Sequence, residues 1–377
     1  MTIQAYATCP DEITSLLSDE IVSLGGINIK TGFRVVYFSC TEEQFYEIHL
    51  KSRLASRVFR IVKDMPASSP RIVFDKVRRI QFHKFFKAND AVKIQVASVH
   101  KDDKFPTHLV GSKIREAIND SFKHFANEDA VVSSRDPKVS IKGFIHGKRM
   151  MLSFDTSLNS LHKRGYRVEG HPAPLKETLA STLLRFCEYD GSQALYDPMC
   201  GSGSIIIEGA QIAANKAPLI HRSKGEFGFE HLRDFDSKLW RQVQNKARNE
   251  QRQPQAPLFA SDIDSKFLDI AKEAALKARV EKFINFRTKD FFKSKKPAEK
   301  GIMIANIPYG LRLDEEDIDK AYLRSIGDKL KQEYKGWRCG ILLPESCPYK
   351  EIGLKTNKRL NLQNGSVKVK FLVFDIY

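Results

Sequence analysis

The sequence contains no run of about 18 apolar residues and no Cys-x-x-Cys pair. The first absence argues against a membrane-spanning helix. The second argues against a zinc site or a disulfide framework, because the six cysteines are scattered along the chain, and we expect no metal. The N-terminal residues include neither a basic start nor an apolar segment. We therefore expect no signal peptide, and a cytoplasmic protein.

Acidic residues are scarce relative to basic ones. The 377 residues include 62 Lys and Arg against 46 Asp and Glu, a formal net charge of +16. Such an excess predicts a polyanionic partner, with nucleic acid favoured over an anionic membrane surface. A chain of this length exceeds one ordinary hydrophobic core, so about two or three domains are expected.

The first part of the chain predicts α+β structure, because strand-like and helical segments alternate over its first 63 residues. Turn-forming residues over 65–70 are interpreted as a linker. Basic and aromatic residues then interleave over 76–87 and predict an amphipathic helix. Its inward side chains would be Val77, Ile80, Phe82 and Phe85. Further on, two alternating segments predict a hairpin about Gly147.

From residue 160 the strands alternate with helices, which predicts a doubly wound, mainly parallel α/β sheet. An insertion over about 215–255 interrupts the pattern, and a closing hairpin makes the last strand antiparallel. Four predicted strands end at or near a polar residue: Asp197, Asp262, Asp290 and Asn306. Ligands of such sheets bind at the carboxyl ends of the strands, so we expect a site there.

The first of these strands leads into the turn Asp197-Pro-Met-Cys-Gly-Ser-Gly203. Glycines let a backbone approach a ligand closely, and the following helix start offers free N–H groups. A dinucleotide site would need a third glycine where Ile206 stands, and no Gly-Lys-Ser/Thr follows for an NTP. The acid before the turn would repel a pyrophosphate, but it suits the amino group of a zwitterion.

S-adenosylmethionine matches these strand ends better than a nucleotide does. We predict that Asp197 pairs with its amino group, Asp262 with its ribose hydroxyls and Asp290 with its adenine amine. Asp264 remains an alternative ribose ligand, although it can also cap the next helix. The other predicted cofactor contacts are Pro198, Cys200, Gly201, Gly203, Ile263 and Asn306.

The segment Asn306-Ile-Pro-Tyr309 predicts the chemistry. An exocyclic base amine is a poor nucleophile, because its lone pair is delocalised into the ring. The side-chain oxygen of Asn306 and the carbonyl of Ile307 can accept the two amine hydrogens and reorient that lone pair. Pro308 stiffens the turn, and Tyr309 can stack on an unpaired or flipped base. Catalysis by these residues would consist mostly of positioning.

The sequence resembles the THUMP-domain class I methyltransferases that form N2-methylguanosine in RNA. The resemblance is carried by the two motifs above and by Ser261-Asp-Ile-Asp264, and it covers essentially the whole chain. Two further stretches match the family's linker and lead helix, Lys163-Arg-Gly-Tyr-Arg167 and Ala173-Pro-Leu-Lys-Glu-Thr-Leu-Ala180.

The resemblance implies three domains. A ferredoxin-like subdomain would span 1–64, a THUMP RNA-binding domain 65–156 and a Rossmann-like methyltransferase domain with a seven-stranded sheet 157–377. Within the family the chain is most similar to bacterial enzymes that modify a guanine of 23S rRNA, in the form without a second, fused methyltransferase. RNA is therefore the expected partner, with 23S rRNA first and tRNA as the alternative.

One position departs from the family's usual Asn-Pro-Pro-Tyr, because Ile307 stands where a proline is expected. The backbone carbonyl is retained, but either a looser turn or a turn adapted to a different pocket is expected. Two other interpretations stay open. A DNA adenine-N6 methyltransferase would use Asn-x-Pro-Tyr for the same kind of amine, and a non-catalytic RNA-binding or assembly factor would have a degenerate pocket.

Overall fold

The structure is a computed structural model that describes residues 2–98, 106–130, 136–170, 174–308 and 320–377. Two seven-stranded sheets organise these residues. The N-terminal sheet contains β1 (Ile3–Thr8), β2 (Ile27–Gly32), β3 (Val35–Cys40), β4 (Arg57–Pro66), β5 (Val92–Ser98), β6 (Val139–His146) and β7 (Arg149–Asp155). Its helices are α1 (Thr14–Ser23), α2 (Glu42–Lys51), α3 (Pro70–Val77) and α4 (Thr107–Ala126).

The N-terminal sheet is continuous, with the strand order β2-β3-β1-β4-β7-β6-β5. Strand β4 joins its two halves, because it pairs with β1 on one side and with β7 on the other, as far as Pro66 opposite Arg149. The predicted linker over 65–70 is therefore wrong at its start. The predicted boundary between residues 64 and 65 falls inside β4. The hairpin about Gly147 is confirmed by the antiparallel pairing of β6 with β7.

The predicted helix over 76–87 is also wrong. Ser69 caps a helix that begins at Pro70 and ends at Val77, and a short 3-10 turn follows at Phe82–Lys84. The first residues of a helix need no backbone N–H for helical hydrogen bonds, so a proline is tolerated there. Ser69 and Pro70, interpreted from the sequence as part of a linker, therefore start this helix instead. Three of the four residues expected to face inward are buried: Val77, Ile80 and Phe82.

The C-terminal sheet contains β8 (Ala194–Asp197), β9 (Leu258–Asp262), β10 (Ile284–Thr288), β11 (Gly301–Asn306), β12 (Trp337–Pro344), β13 (Lys358–Asn364) and β14 (Val367–Asp375). Its helices are α5 (Glu177–Phe186), α6 (Ser204–Ala213), α7 (Ser237–Asn249), α8 (Ser265–Lys277) and α9 (Lys320–Glu333). The strand order is β10-β9-β8-β11-β12-β14-β13, and the chain reverses its winding direction between β8 and β11.

This second sheet confirms the predicted architecture. Strands β8 to β12 pair in parallel, and β14 pairs antiparallel with both β12 and β13. Parallel strands are usually covered by helices on both faces. All four residues of β8 and the first five of β11 are accordingly buried. Ligands can then reach this sheet at its carboxyl edge.

The insertion predicted over about 215–255 reaches back to the N-terminal region. The Phe229 ring lies 4.9 Å from those of Tyr46 and His49 on α2, and Trp240 lies 5.7 Å from Tyr46. A salt bridge of 2.8 Å from Lys51 to Glu250 borders this aromatic contact. One hydrophobic cluster therefore extends from the N-terminal sheet into the C-terminal one. Among the helices of the described ranges, none combines the length and the apolar character that crossing a bilayer requires.

Candidate functional site

The turn after β8 is fastened to the neighbouring strand β9. Asp197 ends β8 with only 1% of its surface exposed. The backbone N–H of Cys200 donates to the carbonyl of Ser261 at 2.9 Å, and that of Gly201 donates to Asp262 Oδ2 at 2.8 Å. Pro198 is buried next to Asp197, and its carbonyl accepts from the Ser261 hydroxyl at 3.3 Å. These contacts fix the turn at the carboxyl edge of the sheet.

The two glycines of this turn both have left-handed backbone conformations, with φ of +52° at Gly201 and +80° at Gly203. Gly203 directly precedes α6. A Cβ on it would approach the Ala271 Cβ on α8 to 3.0 Å. The sequence suggested that Gly203 lets a ligand approach the backbone. The structure gives a second reason for a glycine here, because a side chain would crowd α8. The next residue, Ser204, donates its hydroxyl to the carbonyl of Leu175 at 3.0 Å.

The two acids at the end of β9 have different partners. Asp262 is buried; its Oδ2 holds the Gly201 N–H, and its Oδ1 accepts the Asp264 N–H at 3.1 Å. Asp264 instead caps α8 by accepting the Lys266 N–H at 2.8 Å. Between them, Ile263 exposes 71% of its surface at the edge of the sheet. An apolar side chain so exposed is available to pack against a flat ligand.

Asp290 follows β10, and Lys289 beside it donates its N–H to the Asp262 carbonyl at 2.9 Å. One carboxylate oxygen of Asp290 accepts the Phe292 N–H at 2.9 Å, and the other lies 3.7 Å from Lys293 Nζ. Burial, followed by the charge of Asp290, raises the pKa of Tyr322 to about 12. Asp290 therefore lies close to the C-terminal sheet's edge while it also stabilises its own loop.

Asn306 ends β11, on the other side of the winding reversal from Asp197. Its side-chain oxygen is buried, and none of the described residues donates a hydrogen bond to it. A buried acceptor without a donor costs free energy, which a ligand with an N–H group would recover.

Ile307 is fixed to the neighbouring strand at the start of the turn. Its side chain is fully buried, and its N–H donates to the Leu342 carbonyl on β12 at 3.2 Å. A proline has no N–H and could not form this bond. The isoleucine lacks the rigidity of a proline ring, but it extends the pairing of β11 with β12 by one hydrogen bond. Pro308 is half-buried after it. Tyr309, the remaining predicted catalytic residue, lies outside the described residues.

A buried carboxylate that the sequence did not predict lies on the helix after the glycine turn. Glu208 on α6 is fully buried and accepts hydrogen bonds from the Tyr166 hydroxyl at 3.0 Å and the Ser181 hydroxyl at 2.7 Å. Arg53 and Arg164 each place a guanidinium nitrogen 3.7 Å from it. The network therefore joins the N-terminal region, the connection between the sheets and the helix that follows the glycine turn. Its only sequence signal is a glutamate among the apolar residues of α6.

Comparison with known proteins identifies two matching regions. Residues 164–371 match the family described as "RMKL-like, methyltransferase domain". Residues 4–59 match the one described as "RlmL ferredoxin-like domain".

Curated relatives match over almost the whole chain. A Synechocystis sp. protein, slr0064, named as a candidate RNA methyltransferase, is 30% identical over 373 residues, which cover 99% of this chain and 96% of the relative. Ribosomal RNA large subunit methyltransferase K/L of Vibrio campbellii is 31% identical over 97% of this chain but only 52% of the relative. The chain thus spans about half the length of this K/L relative.

A solved structure also matches end to end. SMU.472, a candidate methyltransferase crystallised as a complex with SAH, is 25% identical, with a TM-score of 0.89 over 100% of this chain and 98% of that one.

Proposed function

Because this chain belongs to the family of RMKL-like, S-adenosylmethionine-dependent methyltransferases, we propose that it methylates N2 of a guanine in 23S rRNA. The observation that carries the proposal is the buried Asn306 oxygen at the carboxyl end of β11, to which no described residue donates. This acceptor stands where the sheet reverses its winding, which is the usual ligand position in such sheets.

The residues at the edge of the C-terminal sheet fit the cofactor. Three carboxylates follow successive strands, and each suits one polar part of S-adenosylmethionine: Asp197 its amino group, Asp262 its ribose hydroxyls and Asp290 its adenine amine. The exposed side chain of Ile263 would pack against the adenine. The backbone of the turn after β8 would approach the methionine end through Pro198, Cys200, Gly201 and Gly203. Asn306, at the end of β11, would also contact the cofactor. Asp264 is the weaker ribose candidate, because it caps α8.

Residues of the chain then have to orient the N2 amine of the guanine toward the methyl group. The bound cofactor supplies an electrophilic methyl group on a sulfonium. Asn306 Oδ1 and the Ile307 carbonyl would accept the two N2 hydrogens, which reorients the nitrogen lone pair. The Ile307 N–H bond to Leu342 and the ring of Pro308 would hold these acceptors in place. Tyr309 would stack on the base. Their contribution is positioning in a desolvated pocket.

The choice of substrate rests on charge and kinship. A net charge of +16 suits a polyanion. Both curated relatives named above are called RNA methyltransferases, one of them for ribosomal RNA of the large subunit. A tRNA guanine is the alternative within the same chemistry. We further propose that the N-terminal ferredoxin-like and THUMP-like region binds this RNA, and that the protein acts in the cytoplasm, where ribosomal RNA is modified.

Incubation of the full chain with labelled S-adenosylmethionine and separate pools of 23S rRNA, tRNA and duplex DNA tests the proposal. We expect label in N2-methylguanosine from the 23S pool, identified by mass spectrometry of the nucleosides. In a strain that lacks the gene, one mapped 23S position should lose the modification. Label in DNA N6-methyladenine would refute the RNA assignment. Cofactor binding without transfer to any pool would favour an assembly factor.

A further inference from the structure

The open face of the N-terminal sheet borders a cavity of about 760 Å3 that the proposed cofactor site does not use. Its other walls are the connection around residue 160, the start of α5 and strand β13. This volume lies within the range of pockets that hold small ligands. The cavity therefore has the size of a binding site and lies between the two sheets.

Aromatic side chains form the side of the cavity that belongs to the sheet. Tyr6 and Phe59 stack at 4.7 Å with an interplanar angle of 10°, and the Tyr6 hydroxyl is hydrogen-bonded to Ser153 at 2.9 Å. Tyr37 and Phe144 border the same space and are only half-buried. Such aromatic surfaces accept nucleic-acid bases by stacking, without preference for one base. The fixed inner pair and the half-buried outer rings suit a planar ligand.

The charge of the lining has one sign. Arg34, Lys142 and Lys176 line the cavity, and no Asp or Glu occurs among the described residues that do so. Burial, together with the nearby Lys176 and Arg167, lowers the pKa of His162 to about 4. That histidine is therefore a neutral hydrogen-bonding group at physiological pH. Aromatic walls combined with cationic side chains select a ligand that is both planar and anionic.

A basic groove of about 660 Å3 continues from the cavity, and Phe59 and Lys142 border both. Three further lysines line it, namely Lys93, Lys138 and Lys224. Of its two acids, Asp155 is already paired with Arg57 at 2.5 Å. The groove can therefore neutralise the phosphates of a strand that enters the cavity.

The opposite side of the cavity adjoins the cofactor turn. Lys176 and Thr178 line the cavity. The residue before Lys176 is Leu175, whose carbonyl accepts the Ser204 hydroxyl directly after Gly203. The segment 175–178 therefore connects the cavity to the glycine turn of the proposed cofactor site.

We propose that this cavity binds an unpaired nucleotide of the RNA near the methylated base, with its base against Phe144 and Tyr37 and its phosphate between Lys142 and Lys176. The inference rests on the proposed RNA substrate. It predicts that the protein prefers single-stranded RNA to duplex RNA, because only an unpaired base can enter the cavity.

Phe144→Ala in the full chain tests the stacking contact, with Phe125→Ala as its control. Phe125 lies on α4, which packs against the opposite face of the N-terminal sheet. A fluorescent single-stranded RNA should bind about tenfold more weakly to Phe144→Ala and within about twofold of the original affinity to the control. RNA carrying 4-thiouridine should crosslink to peptides of β3 or β6.

Lys142→Gln provides a second variant that preserves the packing, with Lys123→Gln on α4 as its control. It should flatten the slope of log affinity against log salt by about 0.7, as expected for one lost phosphate contact on a single strand. Equal losses in the test and control variants, or crosslinks confined to other surfaces, would overturn the inference. These assays need no methyl transfer. If the variants lost RNA binding but the unsubstituted chain formed no N2-methylguanosine, only the proposed function would be refuted. If the unsubstituted chain formed N2-methylguanosine but the variants bound RNA unchanged, only the inference about the cavity would be refuted.

Discussion

The two seven-stranded sheets use their surfaces differently. In the C-terminal sheet the strands around the winding reversal are buried along most of their length, and the polar groups of the proposed site lie at the carboxyl edge. In the N-terminal sheet one face packs on α3 and α4, whereas the other leaves Lys142 and Phe144 half-buried beside the cavity. A covered sheet offers its edge for chemistry, and a half-covered one offers a face for binding.

This difference predicts that the two tasks can be separated by substitution. Changes at the edge of the C-terminal sheet should alter methyl transfer and leave RNA affinity intact. Changes on the open face of the N-terminal sheet should alter RNA affinity. The buried network around Glu208 and the aromatic contact around His49 join the two regions, so substitutions there should affect both through stability.

The largest effect is expected at the edge. Asn306→Ala removes the acceptor that would reorient the amine lone pair, and we expect the single-turnover rate of methyl transfer to fall by about a thousandfold. Affinity for RNA should stay within about twofold, since the open face is untouched. The assay is transfer of labelled methyl to RNA, with cofactor affinity measured by calorimetry.

Asn361→Ala, at an exposed position of β13 in the same sheet, is the matched control for this variant. It should retain the original rate. If saturating cofactor restored the full transfer rate of Asn306→Ala, its cofactor contact alone would account for the loss, and the proposed role of Asn306 toward the amine would be refuted.

The next largest effect concerns the junction. Glu208→Ala would leave the guanidinium groups of Arg53 and Arg164 buried without their carboxylate, and such losses cost about 3 kcal/mol of unfolding free energy. Urea denaturation measures this cost. Because the network connects both sheets, we expect the loss in every unfolding transition of the chain.

Glu273→Ala is the control, because Glu273 forms an exposed pair with Lys277 on α8. Its effect should stay within about 0.5 kcal/mol. Equal costs in the two variants would show that the Glu208 network does not stabilise the junction.

The sequence was sufficient to predict the features that depend on local pattern. The alternation of strands and helices predicted the C-terminal sheet, and the polar residues Asp197, Asp262 and Asn306 stand at its strand ends as expected. The capping role foreseen for Asp264 is also local, and it is confirmed. Their roles toward a ligand stay predictions.

Features that depend on distant partners could not be predicted. The bond from Asp262 to the Gly201 N–H and that from Ile307 to Leu342 join segments far apart in sequence. The helix expected over 76–87 failed because a pattern of apolar residues does not show where a capping serine and a proline start a helix. The open face of the N-terminal sheet emerges only once its strand order is known.

The smallest effect is a pH dependence at the junction. His49 on α2 donates Nδ1–H to the Phe45 carbonyl at 2.8 Å and lies against Phe229, and burial lowers its pKa from 6.5 to about 3. The unfolded chain thus takes up a proton at this site as the pH falls below 6.5, whereas the folded chain does not until about pH 3. The free energy of unfolding therefore falls as the pH drops below 6.5, and His49 accounts for up to about 1.4 kcal/mol per pH unit.

Urea titrations between about pH 7 and pH 5 measure this slope. It should become shallower in His49→Gln, while His162 and His221, whose pKa values desolvation also lowers, keep their own contributions, and it should be unchanged in His124→Gln, an exposed site on α4. The two tryptophans separate the regions, because Trp240 contacts α2 and Trp337 lies in the C-terminal sheet. In the Trp337→Phe variant Trp240 remains as the fluorescent probe, and in the Trp240→Phe variant Trp337 remains. The same pH slope at both probes would mean that the two sheets unfold as one cooperative unit. A slope seen only at Trp240 would mean that the C-terminal sheet around Trp337 stays folded when the N-terminal sheet opens. An unchanged slope in His49→Gln would contradict the assignment to His49.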